Sequence, residues 1–460
     1  MSLIAKFNMK NVITVIAVSC ALCASFGGRS FGAALPATAK INDSGMTLTL
    51  SLPEAVQSAL NNNTLKRLAH ERINAAKGRK LQDRADLLPH LSVGASQTRT
   101  YWDNLAAVGF TDFGVIGPYN SFDARVFLVQ RVFDLSAFSK LEAADLDVAI
   151  SRLQDDLARD QITVSAALSY LDVLSAEERL KAVDQDILLA RKLVDLAERQ
   201  LKAGIVTNLD LLRARTRLAQ ESSRRLETVE RLQAVRLQLA RVTGIPLGSS
   251  LTLSDSLKFY EEPVLPTEGA IAEAFKDRLE MTIANRKVEY RKAELSKAGQ
   301  SRLPTVDVTG NYGREGIEPN KQEHDVAQVG VRVSVPIFEG GLTEGQIKES
   351  QSQKAQEEIQ RDDIKTQVEE DVRLAVQALV TSASQVKAAQ EELYLATEQE
   401  DLALDQYSSG LANNIELIDA HTVLERARES YVGALAKYHM TRVNYYSAVG
   451  HVGAFHLNRI

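Results

Sequence analysis

The chain has 460 residues, 45% of them hydrophobic and 25% charged, with 25 Gly, 10 Pro and a single Trp. So little punctuation permits long uninterrupted helices, and the scarcity of large aromatics favours extended helix packing, filled by Ala and Leu, over several compact cores. A formal charge of -6 argues against nucleic acid as a partner.

Lys6 and Lys10 precede an apolar run from Val12 to Phe26 and small residues around Phe31, Gly32, Ala33 and Ala34, the pattern of a secretory signal peptide over residues 1-34. The run is shorter than the roughly 20 residues a membrane-crossing helix needs, and charges interrupt every later apolar stretch, so no transmembrane helix is expected. Cleavage near Ala34 removes Cys20 and Cys23, leaving no thiol for disulfides, catalysis or Cys-ligated metal, and makes the remainder more acidic. Cys20 follows Ala17, Val18 and Ser19, an alternative lipoprotein cleavage site that lacks the usual Leu three residues ahead.

The first repeat, 35-244, reads as a helix over about 52-86, a strand 90-100, a loop, a strand 122-132, and long helices 135-203 and 208-243. An inter-repeat linker in an equatorial region follows over 245-265. The second repeat, 266-450, gives a helix to about 300, strands 305-313 and 327-337, and long helices 341-409 and 413-449, before a C-terminal tail, 451-460. Val329, Val331, Val333 and Val335 alternate with Gln328, Gly330, Arg332 and Ser334, so one face of the last strand is apolar and the other polar. Strands near 122-132 and 327-337 have the length that crosses a bilayer when tilted. Four strands per chain cannot close a barrel.

The duplication is visible residue by residue. Gln200-Leu-Lys-Ala-Gly-Ile-Val-Thr-Asn-Leu-Asp-Leu-Leu212 matches Gln406-Tyr-Ser-Ser-Gly-Leu-Ala-Asn-Asn-Ile-Glu-Leu-Ile418, and Gly244 matches Gly450 at the same offset. Phe133 pairs with Phe338, and Leu88-Pro89 with Leu303-Pro304 at a larger offset, so one loop is longer in the first half. Leu180, Val183, Ile187, Ala190, Val194, Ala197 and Leu201 follow the three-four spacing of a coiled-coil seam. The seam recurs as Val386, Ala389, Leu393, Ala396, Glu400, Ala403 and Tyr407, with Glu400 its polar exception. Gly204 and Gly410 fall where each long helix meets the next, as C-caps of matched hairpin tips.

The duplication, the two Leu-Pro pairs, Val-Pro-Ile-Phe-Glu-Gly-Gly at 335-341, Tyr-x-x-Gly at 407-410 and Ala-Val-Gly at 448-450 together resemble the TolC-like outer-membrane efflux (outer membrane factor) family over nearly all of the chain after the leader. The resemblance implies a mainly α fold with a β-barrel portion. Internally duplicated helical hairpins of three chains form an α-barrel across the periplasm, and four strands from each chain form a twelve-stranded transmembrane β-barrel. The same resemblance implies a homotrimer whose neighbouring chains cover the coiled-coil seams, outer-membrane lipid around the barrel, a periplasmic adaptor (membrane fusion) protein and an inner-membrane pump. The longer loop near 99-121, with Tyr101, Trp102, Phe110, Phe113 and Tyr119, would face outside, where its aromatics suit an interface girdle or an ordinary packed loop equally.

Counting from the tip glycine, Glu416 and Asp419 fall on the acidic ring that narrows the family's lumen; by the residues alone they are exposed acids at a helix start. Asp210 and Tyr407 fall on an interhelical hydrogen bond that latches the closed state, whereas Ala412 stands where the best-known member has an Arg in the same network. Gly204, Ile205, Val206, Gly410, Leu411 and Ala412 are the adaptor-contact candidates, as small and apolar tip residues or simply turn residues. No metal site, cofactor or catalytic residue is expected: the seven His are scattered, no phosphate-binding Gly loop occurs, and the carboxylates sit in heptad surface positions. Energy would come from the inner-membrane partner. Two other readings stand against a duct: a periplasmic coiled-coil scaffold or adaptor that buries the Val329 to Val335 row, and, more weakly, an exported enzyme, which a buried cluster of convergent polar groups would revive.

Overall fold

The computed structural model describes residues 47-101, 103-104, 115-116, 118-261, 263-409, 411 and 414-455. The leader with Cys20 and Cys23, the aromatics Trp102, Phe110 and Phe113, and the tip residues Gly410 and Ala412 lie outside the described residues.

The chain is mostly helical, and its helices come in pairs of matched length. α1 (Leu52–Asn62) and α2 (Thr64–Ala85), of 11 and 22 residues, are repeated as α5 (Thr267–Asp277) and α6 (Leu279–Gln300). The hairpin α3 (Leu135–Lys202) and α4 (Asn208–Thr243) is repeated as α7 (Leu342–Ser408) and α8 (Asn414–Val449). At 68 residues, α3 is on the order of 100 Å long.

One helix was expected over 52-86 and another over 266-300; both break after eleven residues. At Asn63 the backbone turns extended, φ -66° and ψ 136°. Its Oδ1 accepts from the Leu65 N–H at 2.8 Å and its Nδ2 donates to the Val242 carbonyl at 3.1 Å, so one side chain starts α2 and ties it to α4. At Arg278 the same break, φ -68° and ψ 127°, is held by Glu280 and Asp371, each 2.9 Å from the guanidinium.

Two related cores lie where the short helices meet the long ones. Leu50, Leu52, Tyr170, Leu171, Leu174, Leu239 and Val443 form the first; Ile271, Val368, Val372, Leu379, Leu435, Tyr438 and Tyr445 form the second. Each fully buried large side chain contributes roughly 1.5–3 kcal/mol. The inter-repeat segment contains a strand, β6 (Ser250–Leu253), which pairs in parallel with β1 (Thr47–Leu50). The Tyr170 hydroxyl donates to Asp255 Oδ2 at 2.7 Å and lies 3.0 Å from the Leu50 carbonyl oxygen, fastening α3 under this ribbon.

The coiled-coil seams were expected to wait for neighbouring chains. Instead this chain covers them itself: Val183, Ile187, Ala190 and Ala197 are buried, as are Val386, Ala389, Ala396, Glu400 and Tyr407. α3 packs on α4 and α8, and α7 on α8. What stays exposed is other apolar positions, among them Leu188, Leu226, Ile359, Leu374 and Leu402.

The four-stranded sheet runs β2 (His90–Thr100), β5 (Tyr119–Phe133), β7 (Thr305–Gly316), β8 (His324–Ser334), antiparallel throughout, with β2 and β8 at its edges. Its central pairing, β5 with β7, joins the two repeats. In the loop before β5 a two-residue ribbon pairs β3 (Asp103–Asn104) with β4 (Val115–Ile116).

Candidate functional site

The register sorts the sheet into two unlike faces. One carries Leu91 and Val93 from β2, Val126 and Leu128 from β5, Val308 and Tyr312 from β7, and Val329, Val331 and Val333 from β8. This face is exposed in the single chain, Val329 to 83%, and the apolar row continues into Ile337 at 95%. Aromatics stand toward both its ends, with Phe122 and Tyr312 at one and Phe133, followed beyond β8 by Phe338, at the other.

The opposite face is polar. Arg125 pairs with Asp123 at 2.7 Å and Glu315 at 2.9 Å, Arg131 reaches Asp307 at 3.3 Å, and Asn311 donates to Gln328 at 3.1 Å. Phe127, Val129 and Val326 are among its apolar exceptions, and the Phe127 ring lies against Gly94. Beside Arg125 the chain requires glycine: a Cβ on Gly313 would lie 2.0 Å from the Ala124 carbonyl oxygen. No described helix is long and apolar enough to cross a membrane, which says nothing against a sheet.

At the far end of the hairpins the two tips turn alike. Gly204 has φ 77°, the left-handed conformation that glycine adopts without strain, and Ile205 N–H donates to the Gln200 carbonyl at 2.9 Å. Leu411 N–H donates to the Gln406 carbonyl at 2.9 Å, the same bond one repeat later. Ile205 and Leu411 are exposed, Leu411 to 83%, while Val206 is half-buried. Glu416 and Asp419 both lie exposed on the first turns of α8.

Asp210 and Tyr407 are brought near each other but not into a bond. The Asp210 carboxylate closes a capping box, accepting from the Thr207 N–H at 3.0 Å and hydroxyl at 2.7 Å, with Arg213 at 3.6 Å. The Tyr407 hydroxyl is buried beside Leu193 and Leu417 and has no hydrogen-bond partner among the described residues. Burial first, and the Asp210 charge second, raise its pKa above the ordinary phenol value. A buried hydroxyl left without a partner carries a desolvation cost of roughly 1–3 kcal/mol.

The structure also gathers residues that the sequence left scattered. Asp186 of α3, His421 and Glu425 of α8 are all buried, with potential ligand atoms within 4.8 Å of one another. Arg217 and Arg224 of α4 and Arg428 of α8 surround them. Burial, and then the three guanidiniums, depress the His421 pKa to about 4, so its imidazole is neutral at pH 7. Burial lifts the Asp186 carboxyl against the pull of Arg428 and Arg224. The i, i+4 spacing of His421 and Glu425 was visible in the sequence; their meeting with Asp186 was not. This is the kind of buried polar cluster an enzyme would need, but each carboxylate faces a guanidinium, which suits holding helices together rather than proton transfer.

Comparison with known proteins gives one answer. The model of a family described as outer membrane efflux protein matches residues 55–245 and 270–451. Outer membrane protein TolC of Escherichia coli (strain K12) is 24% identical over 409 residues, covering 86% of this chain and 80% of that protein. Alkaline protease secretion protein AprF of Pseudomonas aeruginosa is 23% identical, over 87% of this chain and 85% of its own. The toluene efflux pump outer membrane protein TtgC of Pseudomonas putida is 22% identical, over 87% and 83%. Among solved structures, the CmeC outer membrane channel of Campylobacter jejuni superposes with a TM-score of 0.78 at 18% identity, over 87% of this chain and 86% of that one. VceC of Vibrio cholerae gives 0.74 at 18% identity, over 87% and 96%.

Proposed function

Because this chain belongs to the outer membrane efflux protein family, a family of channels rather than enzymes, we propose that it is the outer-membrane duct of a tripartite efflux or type I secretion system, exported by way of the 1-34 leader. Three copies each contribute β2, β5, β7 and β8 to a twelve-stranded barrel, and the hairpins make a tube across the periplasm. The observation that carries this reading is the sheet: one face apolar and bare, the other polar and cross-linked by ion pairs, and both edges unpaired among the described residues. In lipid such edges must be closed, and trimerisation closes them. The apolar positions left exposed on the long helices, such as Leu188 and Ile359, supply the contacts between chains.

The duct is passive. It opens where the tips draw apart, under an adaptor that engages Gly204, Ile205, Val206, Gly410, Leu411 and Ala412, powered by an inner-membrane pump. Six carboxylates from Glu416 and Asp419 ring the mouth, so cations are favoured there and multivalent cations block. Asp210 and Tyr407 complete their latch in the closed assembly. The mature chain reconstituted in planar bilayers should give cation-selective currents, and Cys placed at Gly204 or Leu411 should crosslink to a periplasmic protein. A chain that stays soluble without detergent would instead be a scaffold.

A further inference from the structure

Behind the tips, a set of ion pairs joins the first hairpin to the second. Arg217 of α4 bonds Glu425 of α8, Arg428 of α8 bonds Asp186 of α3 at 2.5 Å, and Arg224 of α4 reaches Glu429 of α8 at 3.1 Å. Glu425 lies six residues beyond Asp419, about 9 Å further along α8. Asp186, Glu221, His421 and Glu425 are each at least nine-tenths buried, and Arg217 and Arg428 are mostly covered. Glu221 sits 3.2 Å from Arg217 and 3.6 Å from Arg224, so three guanidiniums balance three buried carboxylates. A divalent ion among Asp186, His421 and Glu425 would add two uncompensated charges to that balanced, buried site.

Charges buried this deeply stay put only while their partners do. The bonds are between hairpins, not within one, so α8 cannot tilt away from α3 and α4 without breaking them. The tip latch is not made in this structure, whereas these pairs are. His421 fills the space between them, and neither ring nitrogen has a well-formed hydrogen bond, although Nε2 lies 3.0 Å from Glu425.

We propose that Arg217–Glu425 and Arg428–Asp186, packed around His421, form an inter-hairpin clasp that positions α8 and sets the resting aperture of the mouth. The inference rests on the duct reading, with the clasp rather than the tip latch as the principal hold on the second hairpin. Asp186, Arg217, Glu425 and Arg428 are thus positioning residues, remote from whatever passes through.

The test uses full-length mature protein. Asp186→Asn combined with Glu425→Gln should raise the open fraction in planar bilayers by about tenfold, the factor set by ~1.4 kcal/mol. Protease cleavage near Ile205 and Leu411 should quicken in parallel. Arg217→Lys, which keeps the charge, should stay near wild type, and Arg217→Cys with Glu425→Cys, bridged by a bifunctional thiol reagent, should fall below it. An unchanged open fraction with unchanged tip cleavage in the doubly neutralised variant overturns the clasp. If the wild-type protein passes no current, the duct reading falls instead, and the clasp is then decided by tip cleavage alone, faster cleavage supporting it and unchanged cleavage overturning it.

Discussion

Val331→Arg asks directly whether the apolar face of the sheet meets lipid. Val331 stands on β8 opposite Val308, four residues from Ala327, which pairs with Tyr312, and two from Val333, beyond which Phe338 follows, so it lies within the apolar band rather than at its aromatic ends. In water, a valine already 68% exposed contributes little, and Arg there should shift stability by no more than about 0.5 kcal/mol. In a bilayer the same guanidinium must sit in hydrocarbon or snorkel, at a cost of about 2–4 kcal/mol near the midplane. Gln328→Arg, three residues away on the polar face of the same strand, is the control and should cost almost nothing in either setting. Urea titration of protein folded into liposomes, followed by heat-resistant migration on gels, measures both. Equal stability of the two variants would refute the assignment of the apolar face to lipid.

Four further outcomes are expected. Asp210→Ala should raise conductance, but it also removes the Thr207 capping box, worth about 1 kcal/mol; Tyr407→Phe spares that cap, so an equal rise in Tyr407→Phe isolates the latch. Glu416→Gln with Asp419→Asn should reduce the cation preference read from reversal potentials in a salt gradient and weaken block by multivalent cations. Tyr170→Phe removes one donor to the Asp255 carboxylate, which keeps the Leu52 N–H, and should lower the thermal midpoint, with a cost of about 1–3 kcal/mol. His421 is held neutral in the fold, with a pKa of about 4, while the unfolded chain protonates it near its ordinary 6.5. Its contribution is therefore full above pH 6.5 and lost as pH falls toward 4, by up to about 3 kcal/mol; His421→Gln should flatten that part of the urea midpoint against pH.

How much of this was legible in the sequence depended on how local each signal is. The Val329 to Val335 alternation declares a two-faced strand within seven residues, and the glycine-centred tips declare themselves by recurring. The break between α1 and α2 was signalled by Asn61, Asn62 and Asn63, since Asn is a strong N-cap, but a helical periodicity running through them masked it. β1 and β6 were missed because four residues each carry no periodicity and their partner lies about two hundred residues away. The seams were readable as seams, yet spacing alone does not say whether the partner helix belongs to the same chain. The cluster at His421 shows the limit most sharply: its i, i+4 half was on the page, and its other half sits on α3 and α4, which only the packing of two hairpins brings near.

The central pairing of the sheet has a consequence for how the protein is made. β2 and β5 form one hairpin and β7 and β8 another, each closing over a few tens of residues, but β5 meets β7 only across about 170 residues that include the whole first helical hairpin. Local pairs form early and distant ones late, because the loop entropy must be met before the contact rewards it. Until the second half of the chain has emerged, the first sheet hairpin has an unpaired inner edge and an uncovered apolar face, the combination that recruits strands from other molecules. A chain truncated after α4 should therefore aggregate rather than wait, and the interval between the two halves is when such a protein most needs a chaperone.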